Sequence, residues 1–259
     1  MNSQTMKFEL LYPEVAYLYG DLANIDYLHR AVPEAEVIRT SLKTPPAFLN
    51  GDVQFVSLCA MTERAQELVI AALRPYRDKI VEQIDRGTIF LATGNALEIF
   101  IKYIENEDGS KVEALGLFDL VARRRMMNRY NALYLGQFED IRIVGLKSQF
   151  THAYSGTVGG DDTASAADGG AVYKDAAALF DTLRGAGRNP EDRKEGIRQN
   201  NFMATYVLGP LLIMNPLFTK HLLGLLGLND RALPFEAAAM DSYNLRLEEY
   251  SDPKRGFIY

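Results

Sequence analysis

Short apolar runs alternating with helix-period segments constrain the first half of this chain more tightly than any other feature. Phe8–Leu11, Val37–Ile38, Val53–Leu58 and Thr88–Thr93 read as strands, and Ile25–Ala31 as part of a helix. Thr62–Asp85 carries Ala65, Leu68, Val69, Ala72 and Leu73 at spacings that give a helix one apolar face. Thr62 is placed to cap that helix, with Glu63 in the first turn where the dipole favours an anion. Pro75 ends or kinks it. Gly94–Asn95 reads as a tight turn and Ala96–Ile104 as a further helix. Such alternation predicts βαβ units, a parallel sheet and right-handed crossovers.

The second half is patterned differently. Asp108–Gly109, between apolar segments, predicts a hairpin tip. Tyr130–Leu135 and Ile141–Leu146 read as strands with no helix between them, so this part of the sheet is expected to be mixed or antiparallel. Gly156–Gly170, rich in Gly, Ala, Ser, Thr and Asp, is expected to be a flexible loop. Asn201–Leu208 reads as a final strand and Leu217–Leu226 as a helix. Phe235–Leu247 reads as an amphipathic helix entered through Pro234, within a helical extension over 231–259. No repeat or long linker interrupts the 259 residues, so one domain over 1–259 is expected. The expected fold class is α/β, a three-layer sandwich whose central sheet is mostly parallel with an antiparallel second half.

Composition removes several classes of function. A single Cys excludes an internal disulfide framework and a thiolate zinc cluster. A net charge of −6 gives no general attraction to nucleic acid. No apolar run reaches the ~18 residues of a membrane span, and MNSQTMKFELLYP has no long apolar core of a signal peptide. The expectation is a soluble, cytoplasmic protein.

The segment Ile89-Phe-Leu-Ala-Thr93-Gly94-Asn95-Ala-Leu-Glu98 is the most informative for function. A buried strand entering a sharp Gly-containing turn lifts one side chain above the carboxyl edge of a sheet, and the helix that follows aims free N–H groups at whatever binds there. Elbow-type hydrolases carry their nucleophile on this layout. Thr93 is the position expected to be exposed; the plainer reading is an ordinary tight βα turn.

Two further stretches accompany this elbow. One is Leu11-Tyr-Pro-Glu-Val-Ala-Tyr-Leu-Tyr-Gly-Asp21-x-x-Asn24. The other is Glu195-Gly-Ile…Asn201-Phe-x-Ala-Thr-Tyr206-Val-Leu208-Gly-Pro-Leu-Leu…Asn215-Pro216. In this order, over roughly residues 8–225, they resemble the class I glutamine amidotransferases of the cobyric acid synthase (CobB-CobQ) type. Among these, they resemble the GatD-type glutaminase subunits of lipid II isoglutaminyl synthase. The resemblance implies a class I glutamine amidotransferase-like fold, no cofactor, no metal, and a Mur-ligase-like (MurT-like) partner in a hetero-complex.

The departures from the family pattern fall where its chemistry would be. The family attacks glutamine with a Cys thiolate and manages protons with a His; the resemblance sets Thr93 at the nucleophile position and Leu208 at the histidine position. A Thr hydroxyl needs a base, which Leu208 cannot be. The family's Gly-rich oxyanion loop is replaced by Ser57-Leu-Cys59-Ala-Met-Thr62, where a lost donor removes about 3–4 kcal/mol of stabilisation. Gly145-Leu-Lys-Ser-Gln149 stands where the family has a GFENH-like segment. The weak replacement candidates are Cys59, whose apolar run marks an inert core thiol, and His152. His29 and His221 fall on helices and read as structural. The cluster Arg123–Arg129 reads as a solvated face or as an anion or partner contact.

The residues expected to line a ligand pocket are Thr93, Gly94, Asn95, Gln149 and Tyr206. The expected function is a subunit that lacks the usual Cys–His pair, does not hydrolyse glutamine, and partners a Mur-ligase-like protein in cell-wall- or cofactor-related amidation. The alternatives are an active amidotransferase or amidase using Thr93 with Gln149 or His152, and a module that binds a small amino acid.

Overall fold

A computed structural model describes residues 5–156 and 171–258. The chain opens with β1 (Lys7–Leu11), α1 (Leu22–Ala31), β2 (Glu36–Thr40) and β3 (Phe55–Leu58). It continues through α2 (Glu63–Leu73), α3 (Arg77–Asp85) and β4 (Ile89–Thr93). As the cap and proline predict, Thr62 Oγ1 accepts from the Ala65 N–H at 3.2 Å, and a short 3₁₀ turn at Arg74–Tyr76 separates α2 from α3. Then come β5 (Ile101–Glu105), β6 (Lys111–Glu113), β7 (Phe118–Arg124), β8 (Tyr130–Phe138), β9 (Ile141–Gln149) and β10 (Thr151–Ser155). The last part holds β11 (Phe180–Arg184), β12 (Lys194–Glu195), β13 (Ile197–Gln199), β14 (Phe202–Thr205), α4 (Leu211–Met214), α5 (Pro216–Leu225) and α6 (Glu236–Ser251).

The fold is mixed α/β. Its six-stranded sheet has the order β13-β14-β4-β3-β1-β2, parallel throughout except for β13 against β14. β3 and β4 are buried along their whole length, as expected of parallel strands covered on both faces. The antiparallel pairs expected in the second half do not extend this sheet. Together with the parallel pair β5–β7 they build two four-stranded sheets, β10-β7-β5-β6 and β12-β11-β8-β9, with β8 and β9 paired over their full nine residues.

Three expectations need correction. The helix expected at Ala96–Ile104 is a 3₁₀ turn over Gly94–Phe100 followed by β5. The run Ile99-Phe-Ile-Lys-Tyr-Ile is β-branched and aromatic, and it packs better on a pleated surface than on a helix. The final strand stops at Thr205, and Tyr206–Leu208 leave the sheet to meet β9, where Leu146 and Leu208 exchange two backbone hydrogen bonds of 3.1 and 2.8 Å. The C-terminal helix begins at Glu236 and buries only Tyr243 and Tyr250, so it is far less amphipathic than expected. These two tyrosines pack with Leu135, Val144 and Phe257 against the β8–β9 hairpin. Apart from Gly156, the expected Gly156–Gly170 loop lies outside the described residues.

Candidate functional site

In open parallel sheets, ligands bind outside the carboxyl ends of the strands, near the point where strand order reverses. In this sheet the order reverses between β1 and β3. A cavity of about 120 Å³ lies there, lined by Leu18 and Tyr19 after β1, Met61–Glu63 after β3, Gly94, Asn95 and Glu98 after β4, and Tyr206 and Leu208 after β14. Arg129 and Ser148–Thr151 complete it. Gly145 lets β9 reach this edge, because a Cβ there would stand 2.4 Å from Val207 Cγ1 and 2.8 Å from the Leu208 carbonyl oxygen.

The apex of the turn after β4 is Gly94, at φ +62°. A Cβ built on it would lie 2.7 Å from Ala60 Cβ and 3.2 Å from Leu208 Cδ2. The space that a side chain at the apex would occupy is therefore filled by Ala60 and Leu208. Thr93, expected to be exposed, is extended and only 2% accessible. Its residue is absent from the cavity lining, and its hydroxyl donates to Asp21 Oδ2 at 2.7 Å. The cause is register: Thr93 is the last paired residue of β4, opposite Thr205, and the chain turns only after it.

Asp21 organises this side of the site. It is fully buried and also accepts from the Ala60 N–H at 3.2 Å and from Asn24 Nδ2 at 3.3 Å. Burial pushes its carboxyl up to about 6, against the pull of the Thr93 hydrogen bond. Asn95 holds the next loop residue from both sides, accepting from the Met61 N–H at 3.0 Å and donating to the Met61 carbonyl at 2.8 Å. The Ala60 and Met61 N–H groups are thus already engaged by side chains.

On the opposite side Glu98, 1% exposed, receives Gln66 Nε2 on Oε2 at 2.9 Å. Gln66 is oriented by Arg124, which donates to its Oε1 at 2.7 Å. Burial pushes the Glu98 carboxyl up to about 7, opposed by the Gln66 hydrogen bond and by the Arg124 charge. The Tyr206 hydroxyl bears on the Glu98 carboxyl as a loose hydrogen-bond donor and helps to hold its pKa down, although the pair falls short of full hydrogen-bond geometry. Gln149 Oε1 is unpartnered among the described residues, while its Nε2 donates to the Thr151 carbonyl at 2.7 Å and lies 3.1 Å from His152 Nδ1.

Four of the five expected pocket residues, Gly94, Asn95, Gln149 and Tyr206, line the cavity, as does Leu208. His152 does not; it stands behind Gln149 with its ring edge-on to Tyr130, and burial lowers its pKa. Cys59 is fully buried, its thiol pushed up by burial, with Sγ 4.0 Å from Ser57 Oγ. The Arg123–Arg129 cluster is split. Arg124 is buried on Gln66, Asn106 and Glu67, whereas Arg129 reaches the cavity mouth over the Phe150 ring at 4.3 Å. Sequence reasoning quoted Asp21 and Glu98 inside motifs but did not assign them to the site. Their signal was a charged residue among apolar neighbours, Asp21 just before α1 and Glu98 in the 3₁₀ turn between β4 and β5.

Searched against family models, the chain matches none. It is 24% identical over 229 residues to the lipid II isoglutaminyl synthase (glutamine-hydrolyzing) subunit GatD of Staphylococcus aureus (strain N315), covering 87% of this chain and 85% of that protein. Among solved structures, a glutamine amidotransferase from Thermotoga maritima aligns with a TM-score of 0.48 at 9% identity, over 93% of this chain and 92% of that one. By sequence similarity along most of its length, the chain is a GatD-like, glutamine amidotransferase-like protein.

Proposed function

We propose that this chain is a glutamine amidotransferase-like subunit that does not hydrolyse glutamine and that partners a Mur-ligase-like protein in cell-wall- or cofactor-related amidation. The observation that carries this reading is the apex of the elbow. Gly94 has no side chain to attack an amide, Leu208 stands where its side chain would point, and the lining contains no thiol or imidazole among the described residues. Loss of triad members acting as a unit costs on the order of 10⁴–10⁶ in rate in a well-studied hydrolase. The engaged Ala60 and Met61 N–H groups argue the same way, since an oxyanion would have to displace Asp21 and Asn95.

The active alternative needs Thr93, but its hydroxyl is committed to Asp21 and its residue is not part of the lining. The relative's description as a synthase subunit supports a working complex for this chain too. The test is ammonia release from glutamine by the purified chain, alone and with any ligase-like protein recovered by affinity purification from the native host. The expected result is release at the buffer rate and recovery of such a partner. Release at ordinary amidotransferase rates overturns the reading, and if Thr93→Ala then leaves that rate unchanged, Thr93 is eliminated as the nucleophile.

A further inference from the structure

The turn from Arg125 to Arg129, between β7 and β8, carries side chains that nothing in the fold uses. Met127 is 88% exposed, more than any other large apolar residue among those described, and Met126 beside it is exposed too. The turn is nonetheless tied down. The Asn128 N–H closes on the Arg125 carbonyl at 2.9 Å, and the Arg125 N–H donates to the Phe150 carbonyl at 2.7 Å. Arg129 lies over the Phe150 ring at 4.3 Å and comes to 3.5 Å from the Tyr19 hydroxyl. Tyr19 is held exposed at φ +60°, a left-handed conformation that is costly outside glycine, and Tyr17 two residues earlier is also exposed. These rings and thioethers contribute little to the core of this chain.

Charge says what kind of surface matches them. Arg123 and Arg124 of the same run pair with Glu105 and Glu67. Arg125 and Arg129 have no carboxylate partner among the described residues. In a chain of net charge −6 this face is locally cationic, and it is complementary to an anionic one. Residue type then separates a protein from a lipid surface. Tyr, Met and Arg are the types enriched where proteins meet, whereas Lys is depleted there. Tyr17–Tyr19 and Arg123–Arg129 contain Tyr, Met and Arg and no Lys. A contact for anionic lipid draws on Lys as readily as on Arg and sets Trp, Phe or Leu against the acyl chains.

We propose that this turn, with Tyr17 and Tyr19, is the face on which a partner protein docks, presenting carboxylates to Arg125 and Arg129 around an apolar pocket that takes Met127. The unbranched thioether of Met adapts to such a pocket. Tyr19 and Arg129 also line the cavity, so the docked partner covers its mouth. This docking rests on the chain being a subunit of a complex, as the proposed function has it, and not on whether glutamine is hydrolysed.

The test is photo-crosslinking in native-host lysate with the full chain carrying p-benzoylphenylalanine in place of Met127, or in place of exposed Phe235 next to α6 as a control. The protein joined through position 127 is then purified and titrated with wild type, Met127→Asp, Arg125→Glu and Phe235→Asp. The expected result is a joined peptide in which Asp or Glu flanks apolar residues. Met127→Asp and Arg125→Glu should each bind at least about tenfold more weakly, and Phe235→Asp as the wild type does. Wild-type affinity should fall as salt rises, and that of Arg125→Glu should fall less. All of these residues are exposed, so every variant should keep the wild-type melt. No protein joined through position 127, a joined peptide without carboxylates, or turn variants that bind like the wild type would overturn the proposal. So would binding to phosphatidylglycerol vesicles that Met127→Asp abolishes, which would make the turn a lipid contact. A partner joined only through position 235 refutes this face and leaves the complex standing. Ammonia release by a chain that docks through the turn refutes the non-hydrolysing subunit and leaves the face.

Discussion

Glu98 lies one hydrogen bond from Gln66 and two from Arg124, and its burial has a measurable consequence. Its carboxyl is raised from 4.5 to about 7 in the folded chain, so the folded state holds its proton more tightly than the unfolded one. That contribution to stability is complete below about pH 4.5 and is lost as pH rises through about 7. Asp21, raised from 3.8 to about 6, acts in the same sense over a lower window. Glu98→Gln removes one of these penalties. Urea unfolding should therefore show the variant gaining on the wild type between pH 5 and pH 8, by at most on the order of 3 kcal/mol. A difference that does not change with pH would contradict this account of Glu98.

At the scale of elements, the features read correctly in advance were those decided by local chemistry. Thr62 caps α2 through the Ala65 N–H, and Pro75 falls in the 3₁₀ turn that parts α2 from α3. Thr62→Ala should lower stability by about 1 kcal/mol, within the usual range for a lost N-cap, as a shift of the urea midpoint with unchanged slope. No shift would mean that the cap is replaced by solvent. The segment after Gly94 was misread for the opposite reason. Ile99–Glu105 is apolar enough for a buried helix or a buried strand, and only the open edge of β7 beside it, where β5 pairs in parallel, selects the strand.

For the molecule as a whole, Glu195 on β12 joins the sheet β12-β11-β8-β9 to the parallel sheet, and Lys147 on β9 of the same sheet supplies its buried counter-charge. Lys147 on β9 donates to Glu195 and to the Gly187 carbonyl. Glu195 in turn accepts from the Thr205 hydroxyl and the Tyr206 N–H, both at 2.8 Å. Burial pulls the Lys147 pKa down and Glu195 holds it up. Lys147→Met would strand the carboxylate next to the Tyr206 wall of the cavity. The expected loss is about 3–5 kcal/mol by urea unfolding, as for other broken buried pairs. A loss below about 1 kcal/mol would show that the two sheets do not depend on this link.

The amino-acid order alone determined most of the alternation of strands and helices, the cap, the proline break, the hairpins and the sharp turn after β4, because each depends on residues within a turn or two of one another; Gln149 and Tyr206 were set beside that turn only by the family resemblance. Which side chain stands at the apex was settled only in three dimensions. A one-residue shift at the end of a strand reverses which face a side chain takes, and pairing with Thr205 keeps Thr93 inside the strand and leaves Gly94 at the turn. The partners of Asp21 and Glu98 were equally out of reach of local pattern. Thr93 lies 72 residues from Asp21 and Gln66 lies 32 from Glu98, and only the packed sheet brings these groups within a hydrogen bond.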